Sequence, residues 1–359
     1  MRVIQILPSL SMGDGVGNDC LAIKDMLRRN GFETEIYAEH IDPRLGKRAA
    51  KPVEELPDLD EKDIVIYHLS TGTQLNYEVA KLRAKLIVRY HNVTPPEYFA
   101  DYDIGAYQNS KAGLDGVKYL SGKAKHVMAV SSFNKNDLVE MGYREGGIQV
   151  FPILIPFKDY ETKPDRDIIA AMNDGRTNIV FTGRLVPNKK QQDLIKTFYY
   201  YKKYINPKSR LLLVGRHDFF PGYYSRLQKY VEKLGVDDVV FTGQVKFEEI
   251  LAYYSVADVF VCLSEHEGFC VPLVESMMFD VPVLAYDSCA VGETLGGSGF
   301  LLKDKAPEVV AEAIHSIVSD PKLQEQIVQG QRQRLKDFEH DKIKKQFLEI
   351  LEAFIAGDK

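Results

Sequence analysis

SEHEGFCVPLVESMMFDVPVL, residues 264–284, sets two carboxylates, Glu267 and Glu275, around seven residues that include Gly268 and Pro272. An apolar, β-branched run from Val259 to Leu263 precedes them and has the length of a buried parallel strand. Pro272 suits the first helical position, because its φ is fixed in the helical range and it lacks the N–H that would be orphaned there. The unit therefore reads as strand, loop and helix, with the helix running from Pro272 to about Met278. The amides of Gly268, Phe269, Cys270 and Val271 would then share one helix N-terminus, which attracts anions and hydroxyl oxygens. With Glu267 in the loop and Glu275 one turn into the helix, the carboxylates stand on the order of 10 Å apart, a span that suits an elongated, hydroxyl-rich, doubly anionic ligand.

The same alternation extends in both directions. Upstream in the second half, strands are predicted at 178–182, 210–214 and 239–242, with helices near 191–204, 222–234 and 247–255; downstream come a strand at 281–286 and a helix near 306–319. The first half repeats the programme, with strands at 3–7, 33–37, 64–67, 86–90 and 127–130, and helices after Gly17 and at 76–84, 109–121 and 132–141. Residues 41–62 read as an irregular connection. Ser131 or Ser132 caps the helix at 132, and Gly31 closes the first one. The polar, Pro-bearing KDYETKPDRD at 158–167 divides the halves, so the domains are expected at 1–160 and 161–340, followed by a terminal helix in 341–359 with Ile343, Phe347, Ile350, Leu351 and Phe354 at helical spacing. Two doubly wound, Rossmann-like α/β domains follow.

Composition narrows the function. A chain of 359 residues, 45% hydrophobic and 27% charged, with net charge −5, has ample core and no basic field, which argues against nucleic acid as a partner. Cys20, Cys262, Cys270 and Cys289 form no CxxC pair and read as reduced thiols of a cytoplasmic protein. MRVIQILPSL is broken too early by Pro8 for a signal peptide, and no apolar run approaches the ~18 residues of a membrane span. Peripheral membrane contact stays open, with FYYYKKY at 198–204 and FFPGYY at 219–224 as the aromatic, basic stretches that would make it.

FTGRLVPNKKQQDLI, residues 181–195, carries the second functional pattern. Its strand ends at Gly183, and Arg184 and Lys189 follow in the loop, where open α/β sheets bind ligands and where a guanidinium fork and an ammonium could meet on one diphosphate. Together, Arg184, Lys189 and the Glu267 to Glu275 bracket resemble family 4 glycosyltransferases, retaining enzymes of the GT-B fold with a G-R-x4-K element and an E-x7-E motif. The resemblance implies two Rossmann-like domains facing a central cleft, the first on the acceptor side and the second on the donor side, with a terminal helix crossing back to the first. It implies a UDP- or GDP-sugar as co-substrate, no cofactor and no metal, and a glycan or lipid-linked glycan as acceptor.

Residue by residue, the resemblance gives Arg184 and Lys189 the donor diphosphate, Glu267 and residues 268–271 the sugar hydroxyls, and Glu275 the ribose. Val245, in FTGQV at 241–245, matches a residue that meets the base; Ile250 stands where some relatives carry a cation. Gly15 in GDGVGN matches a glycine beside the donor phosphate, and His91 in RYHNV a histidine beside the transferred sugar. LLLVGRHD at 211–218 likewise ends a strand at a glycine, Gly215, and simple strand ends, a flexible turn and a structural histidine are the plain readings of Gly215 and Gly243, of Gly15, and of His91. The glycines at 13, 15 and 17 also evoke a dinucleotide fingerprint, but their G-x-G-x-G spacing and the five residues before Gly13 argue against NAD. Neither DLD at 58–60 nor DYD at 101–103 follows an apolar strand as a metal-nucleotide site would. Tyr98, Phe99 and Tyr102 either shape an acceptor surface or pack as a loop. A glycosidase pair of carboxylates would leave Arg184 and Lys189 without a task. A GT-B phosphorylase or sugar-nucleotide epimerase, and a catalytically silent partner subunit, are the alternatives to hexosyl transfer in polysaccharide or glycoconjugate synthesis.

Overall fold

Every buried strand of this chain must find a parallel neighbour and a helix to cover it, and the chain satisfies that demand twice. The computed structural model describes residues 1–46 and 48–357. It divides into two compact units, one formed by residues 1–97, 104–157 and the chain from Phe338 onward, the other by Tyr98–Asp103 and Lys158–Asp337.

In the first unit the elements run β1 (Arg2–Leu10), α1 (Gly15–Arg29), β2 (Glu33–Ile41), β3 (Lys51–Pro52), β4 (Ile64–Leu69), α2 (Leu75–Glu78), β5 (Lys85–Tyr90), α3 (Ile104–Leu120), β6 (His126–Ala129), α4 (Ser132–Glu140) and β7 (Ile148–Val150). The sheet is parallel, in the order β3-β2-β1-β4-β5-β6-β7, so the chain reverses its direction of travel between β1 and β4. Ser131 caps α4 by accepting the amide of Asn134. The expected helix at 76–84 is a short α-turn followed by a 3-10 turn at Val79–Lys81, and 41–62 contains β3 as well as two 3-10 turns.

The second unit runs α5 (Arg166–Met172), β8 (Thr177–Thr182), α6 (Gln191–Tyr204), β9 (Ser209–Val214), α7 (Pro221–Leu234), β10 (Val239–Gly243), α8 (Phe247–Ser255), β11 (Val259–Cys262), α9 (Val271–Met278), β12 (Val283–Tyr286), α10 (Val291–Leu295), β13 (Phe300–Leu302), α11 (Pro307–Ser319) and α12 (Pro321–Leu335). Its parallel sheet has the order β10-β9-β8-β11-β12-β13. Val180, Leu212, Phe260, Leu273, Met277 and Val283 form one layer of core, and Ile179, Leu211, Val261, Ile195, Phe198 and Ile314 the other. Residues 98–103, assigned from sequence to the first domain, belong here: Phe99 stacks on Phe220 at 5.2 Å and Tyr102 meets Tyr223 edge-on at 5.1 Å. These aromatics pack as a loop.

α13 (His340–Ala356) returns the chain to the first unit. Its Ile343, Phe347, Ile350 and Leu351 share a core with Val3, Ile23, Ile64 and Phe151. Each such side chain contributes roughly 1.5–3 kcal/mol when fully buried.

Candidate functional site

In the second unit, the loops after β8 and β11 are sewn together before any charge is considered. Asn188 donates to the carbonyl of His266 at 2.9 Å and accepts the amide of Glu265 at 2.9 Å. That pairing brings Lys189 Nζ to 2.6 Å from Glu267 Oε1, with both side chains largely buried. Burial works against the ammonium, but Glu267 and the thiols of Cys270 and Cys262 outweigh it and raise the Lys189 pKa. Lys190 is held in a left-handed conformation at φ 52° and pairs with Glu265 at 2.8 Å. Gly183 lies beside the Lys189 stem, since a methyl group there would sit 3.7 Å from Cδ. Arg184 is exposed, with its guanidinium 5.4 Å from the centre of the Phe219 ring and no carboxylate partner among the described residues.

Helix α9 begins one residue earlier than the sequence suggests, at Val271, with Cys270 before it in a left-handed conformation at φ 71°. Pro272 is thus its second residue. Glu275 lies one turn in, where Tyr254 donates to Oε2 at 2.7 Å and Tyr160 donates to Oε1. Burial raises the Glu275 pKa, and the two phenols oppose it. Tyr254 also bonds Thr182, at the end of β8. Gly268 follows Glu267, and Phe269 is buried, its carbonyl accepting from Thr294. Val245, two residues beyond β10, is half-buried against the core that contains Cys270 and Met277. The strand ends of β8 and β9 touch through glycine: a Cβ on Gly215, at φ 144°, would lie 2.2 Å from the Gly183 carbonyl oxygen.

The first unit holds Gly15 and His91. Gly15 opens α1, and the amides of Gly15, Val16 and Gly17 are first-turn donors with no protein acceptor among the described residues. His91 follows β5 and belongs to a buried network that sequence reasoning missed. Arg89 forks onto Asp19, with Nε 3.0 Å from Oδ2 and Nη2 3.3 Å from Oδ1, and also donates to the carbonyls of Phe151 and Pro152. His68 Nε2 lies 2.9 Å from Gln5 Oε1, and His68 Nδ1 lies 3.0 Å from His91 Nε2.

Donor and acceptor roles in this chain follow in sequence. Gln5 Oε1 can only accept, so His68 carries its proton on Nε2 and accepts at Nδ1 from His91 Nε2. Asp19 Oδ2, 3.5 Å from His91 Nε2, favours the same proton position. His91 Nδ1 is left as a buried acceptor without a partner among the described residues. Burial pulls the His68 pKa down to about 4, and burial with Arg89 and His68 nearby holds His91 well below its ordinary value. The one sequence signal was a charged Arg89 inside the apolar run LIVRY.

Two sets of potential metal ligands gather among the described residues, Asp19 with His68 and His91, and Cys262 with Glu267 and Cys270. Both are already engaged internally. Arg89 occupies Asp19, Lys189 occupies Glu267, and the thiols of Cys262 and Cys270 contact one another at 3.9 Å. All four cysteines are free thiols. Among the described residues no helix is long and apolar enough to cross a membrane.

Residues 164–334 match the family model described as glycosyl transferases group 1. The chain is 24% identical over 262 residues to an uncharacterised glycosyltransferase of Methanocaldococcus jannaschii, covering 72% of this chain and 63% of that protein. It is 30% identical over 174 residues to the GDP-mannose-dependent alpha-(1-6)-phosphatidylinositol monomannoside mannosyltransferase of Mycolicibacterium smegmatis, covering 44% of each. The chain thus spans less than two thirds of the length of these relatives. Among solved structures, Anabaena HepE in complex with UDP and glucose aligns with a TM-score of 0.78 at 20% identity, over 98% of this chain and 100% of that one. WaaG, a glycosyltransferase involved in lipopolysaccharide biosynthesis, aligns at 0.74 and 14% identity, over 97% and 99%. The chain therefore has the GT-B type of fold, two Rossmann-like parallel-sheet units, and residues 164–334, most of the second unit, carry the sequence pattern of glycosyl transferases group 1.

Proposed function

We propose that the protein is a retaining, metal-independent glycosyltransferase that moves a hexosyl unit from a UDP- or GDP-sugar to a glycan or lipid-linked glycan, in cytoplasmic synthesis of a polysaccharide or glycoconjugate. The observation that carries this reading is the Lys189–Glu267 ion pair, set between two strand-end loops inside the segment that matches glycosyl transferases group 1. The UDP and glucose held by HepE support a nucleotide sugar as donor.

The chemistry follows from hydrogen-bond capacity. An ammonium has three N–H donors, so Lys189 can keep Glu267 and still offer two to a diphosphate, while Arg184 adds a fork. These charges stabilise the departing nucleoside diphosphate as positive charge develops on the sugar. Glu267 and the backbone at Gly268, Phe269, Cys270 and Val271 take the sugar hydroxyls, and Glu275 takes the ribose diol. By resemblance, Gly15 is assigned to a donor phosphate, Val245 and Gly183 to the nucleotide, and His91 Nδ1 to a hydrogen bond from a sugar hydroxyl. A β-phosphate oxygen receives the acceptor proton.

Calorimetric titration with a panel of UDP- and GDP-sugars, paired with an assay for nucleoside diphosphate release, tests the reading. Binding and release with one base class are expected. No heat with any donor would refute it.

A further inference from the structure

A cleft of about 800 Å³ opens within the first unit, and its lining includes none of the residues assigned above to donor or transfer. It lies at the carboxyl ends of β1 and β2 and beside the segment that follows β4, with Ser9, Glu39 and Thr71 among its walls. The order β3-β2-β1-β4 places it at the point where the sheet reverses its direction of winding, and there open α/β sheets leave a ligand crevice. Its volume falls in the range of small-molecule sites.

The lining has one sign of charge. Glu39, Glu54 and Glu78 line it, and the described lining contains no lysine or arginine. Glu39 is half-buried and accepts from Thr73 Oγ1 at 2.6 Å; Glu54 and Glu78 are exposed. A carboxylate accepts hydrogen bonds and donates none, so the complementary ligand must supply O–H or N–H groups. Val53, Leu56, Leu75, Val79 and Leu82 also line the cleft and give it apolar surface on which the C–H face of a sugar ring can rest. A phosphate or carboxylate in this cleft would bring only acceptors and a like charge.

We infer that this cleft holds the acceptor, and that the part it holds is a carbohydrate without anionic groups, neutral or amino-substituted. Calling the ligand an acceptor rests on the transferase reading; the charge selection rests on the cleft alone. A lipid-linked acceptor would enter by its sugar end and keep its phosphate outside.

The test is binding to the full chain without donor, read by calorimetry and ligand-observed NMR. The probes are neutral trisaccharides of glucose, galactose and mannose, the glucosamine trimer, and the 6-phosphates of the same sugars. Neutral or amino sugars should bind at least tenfold more tightly than the phosphates at low salt, with the gap narrowing as salt is added. Glu39→Gln should weaken binding of the preferred probe, and the exposed Glu54→Lys and Glu78→Lys changes should narrow the discrimination against phosphate. Equal or tighter binding of the phosphates overturns the inference, as does binding that all three variants leave unchanged. If no sugar binds while a nucleotide sugar does, the cleft assignment falls and the transferase reading stands; if the nucleotide sugars also fail, both fall.

Discussion

His68 Nδ1 accepts a hydrogen bond from His91 Nε2 across 3.0 Å, and the two rings stack with centroids 5.2 Å apart. That arrangement requires His68 to be neutral, burial beside the Arg89 guanidinium holds His91 neutral as well, and the first unit is therefore sensitive to acid. The folded pKa of His68, about 4, lies below the ordinary 6.5, so the unfolded chain binds the proton more readily. The contribution is fully present above pH 6.5 and is lost as pH falls toward 4, in all about 3 kcal/mol. Chemical denaturation between pH 7.5 and 4.5 should show this decline, and His68→Gln should flatten it while lowering stability at neutral pH. An unchanged slope in the variant would disprove the neutral pair.

Arg89 and Asp19 are both fully buried, so removing one partner strands the other charge. Arg89→Met should destabilise the fold by roughly 3–5 kcal/mol, whereas Arg89→Met combined with Asp19→Asn should recover part of that loss. Urea midpoints of the two variants and of the unaltered protein measure the difference. A double variant no more stable than the single one would show that packing, rather than charge, sets the cost.

Lys189→Met should abolish sugar transfer, by at least ~100-fold, through loss of transition-state stabilisation worth about 3 kcal/mol. Lys189→Arg should not restore it, because a planar fork does not reproduce a compact ammonium beside Glu267. Steady-state kinetics with the donor found by titration decides the matter, and near-wild-type turnover in either variant contradicts the assigned role.

Glu275→Ala should weaken nucleotide-sugar binding at least tenfold. Tyr254→Phe should cost about 1.5–3 kcal/mol of stability, since it removes a hydrogen bond to a partly buried carboxylate that also receives Tyr160. Calorimetry on the first and thermal unfolding on the second separate ligand binding from fold support.

Gly215→Ala should be far more damaging than Gly31→Ala. Both glycines have positive φ, but an added methyl at Gly215 meets the Gly183 carbonyl at 2.2 Å, whereas nothing lies within 4 Å at Gly31. Strain at Gly31 alone costs of order 1–3 kcal/mol. Equal urea midpoints for the two variants would mean that the β8 and β9 ends separate freely.

Much of this architecture was legible because local signals agreed with tertiary demands. The helices at 191–204 and 247–255 and the strands at 178–182 and 239–242 fall within a residue of the sequence reading, since each is an apolar run with clear punctuation. α12 was not read because only Ile327, Val328 and Gln331 are buried in a fifteen-residue helix, which leaves its apolar period faint. β3 is two exposed residues, and β13 is a half-exposed edge strand. The pairing of Lys189 with Glu267 joins two loops that sequence pattern had singled out. The Asp19, His68 and Arg89 network was hidden because one position of α1 and two of the sheet, far apart in sequence, meet only after the helix packs on the sheet. Tyr160 and Tyr254 were hidden for a similar reason: nothing in their neighbourhood marks a phenol as a carboxylate partner.

Val3 in the first strand and Phe347 in the last helix lie in one core. A ribosome releases Val3 long before Phe347, so the first unit must wait, with part of its apolar face uncovered, until Phe347 has emerged. The second unit lies wholly between these two residues and is free to fold in the meantime. Synthesis order and completion order are thus reversed, and a nascent chain halted before residue 340 would expose the side of the first unit that α13 covers.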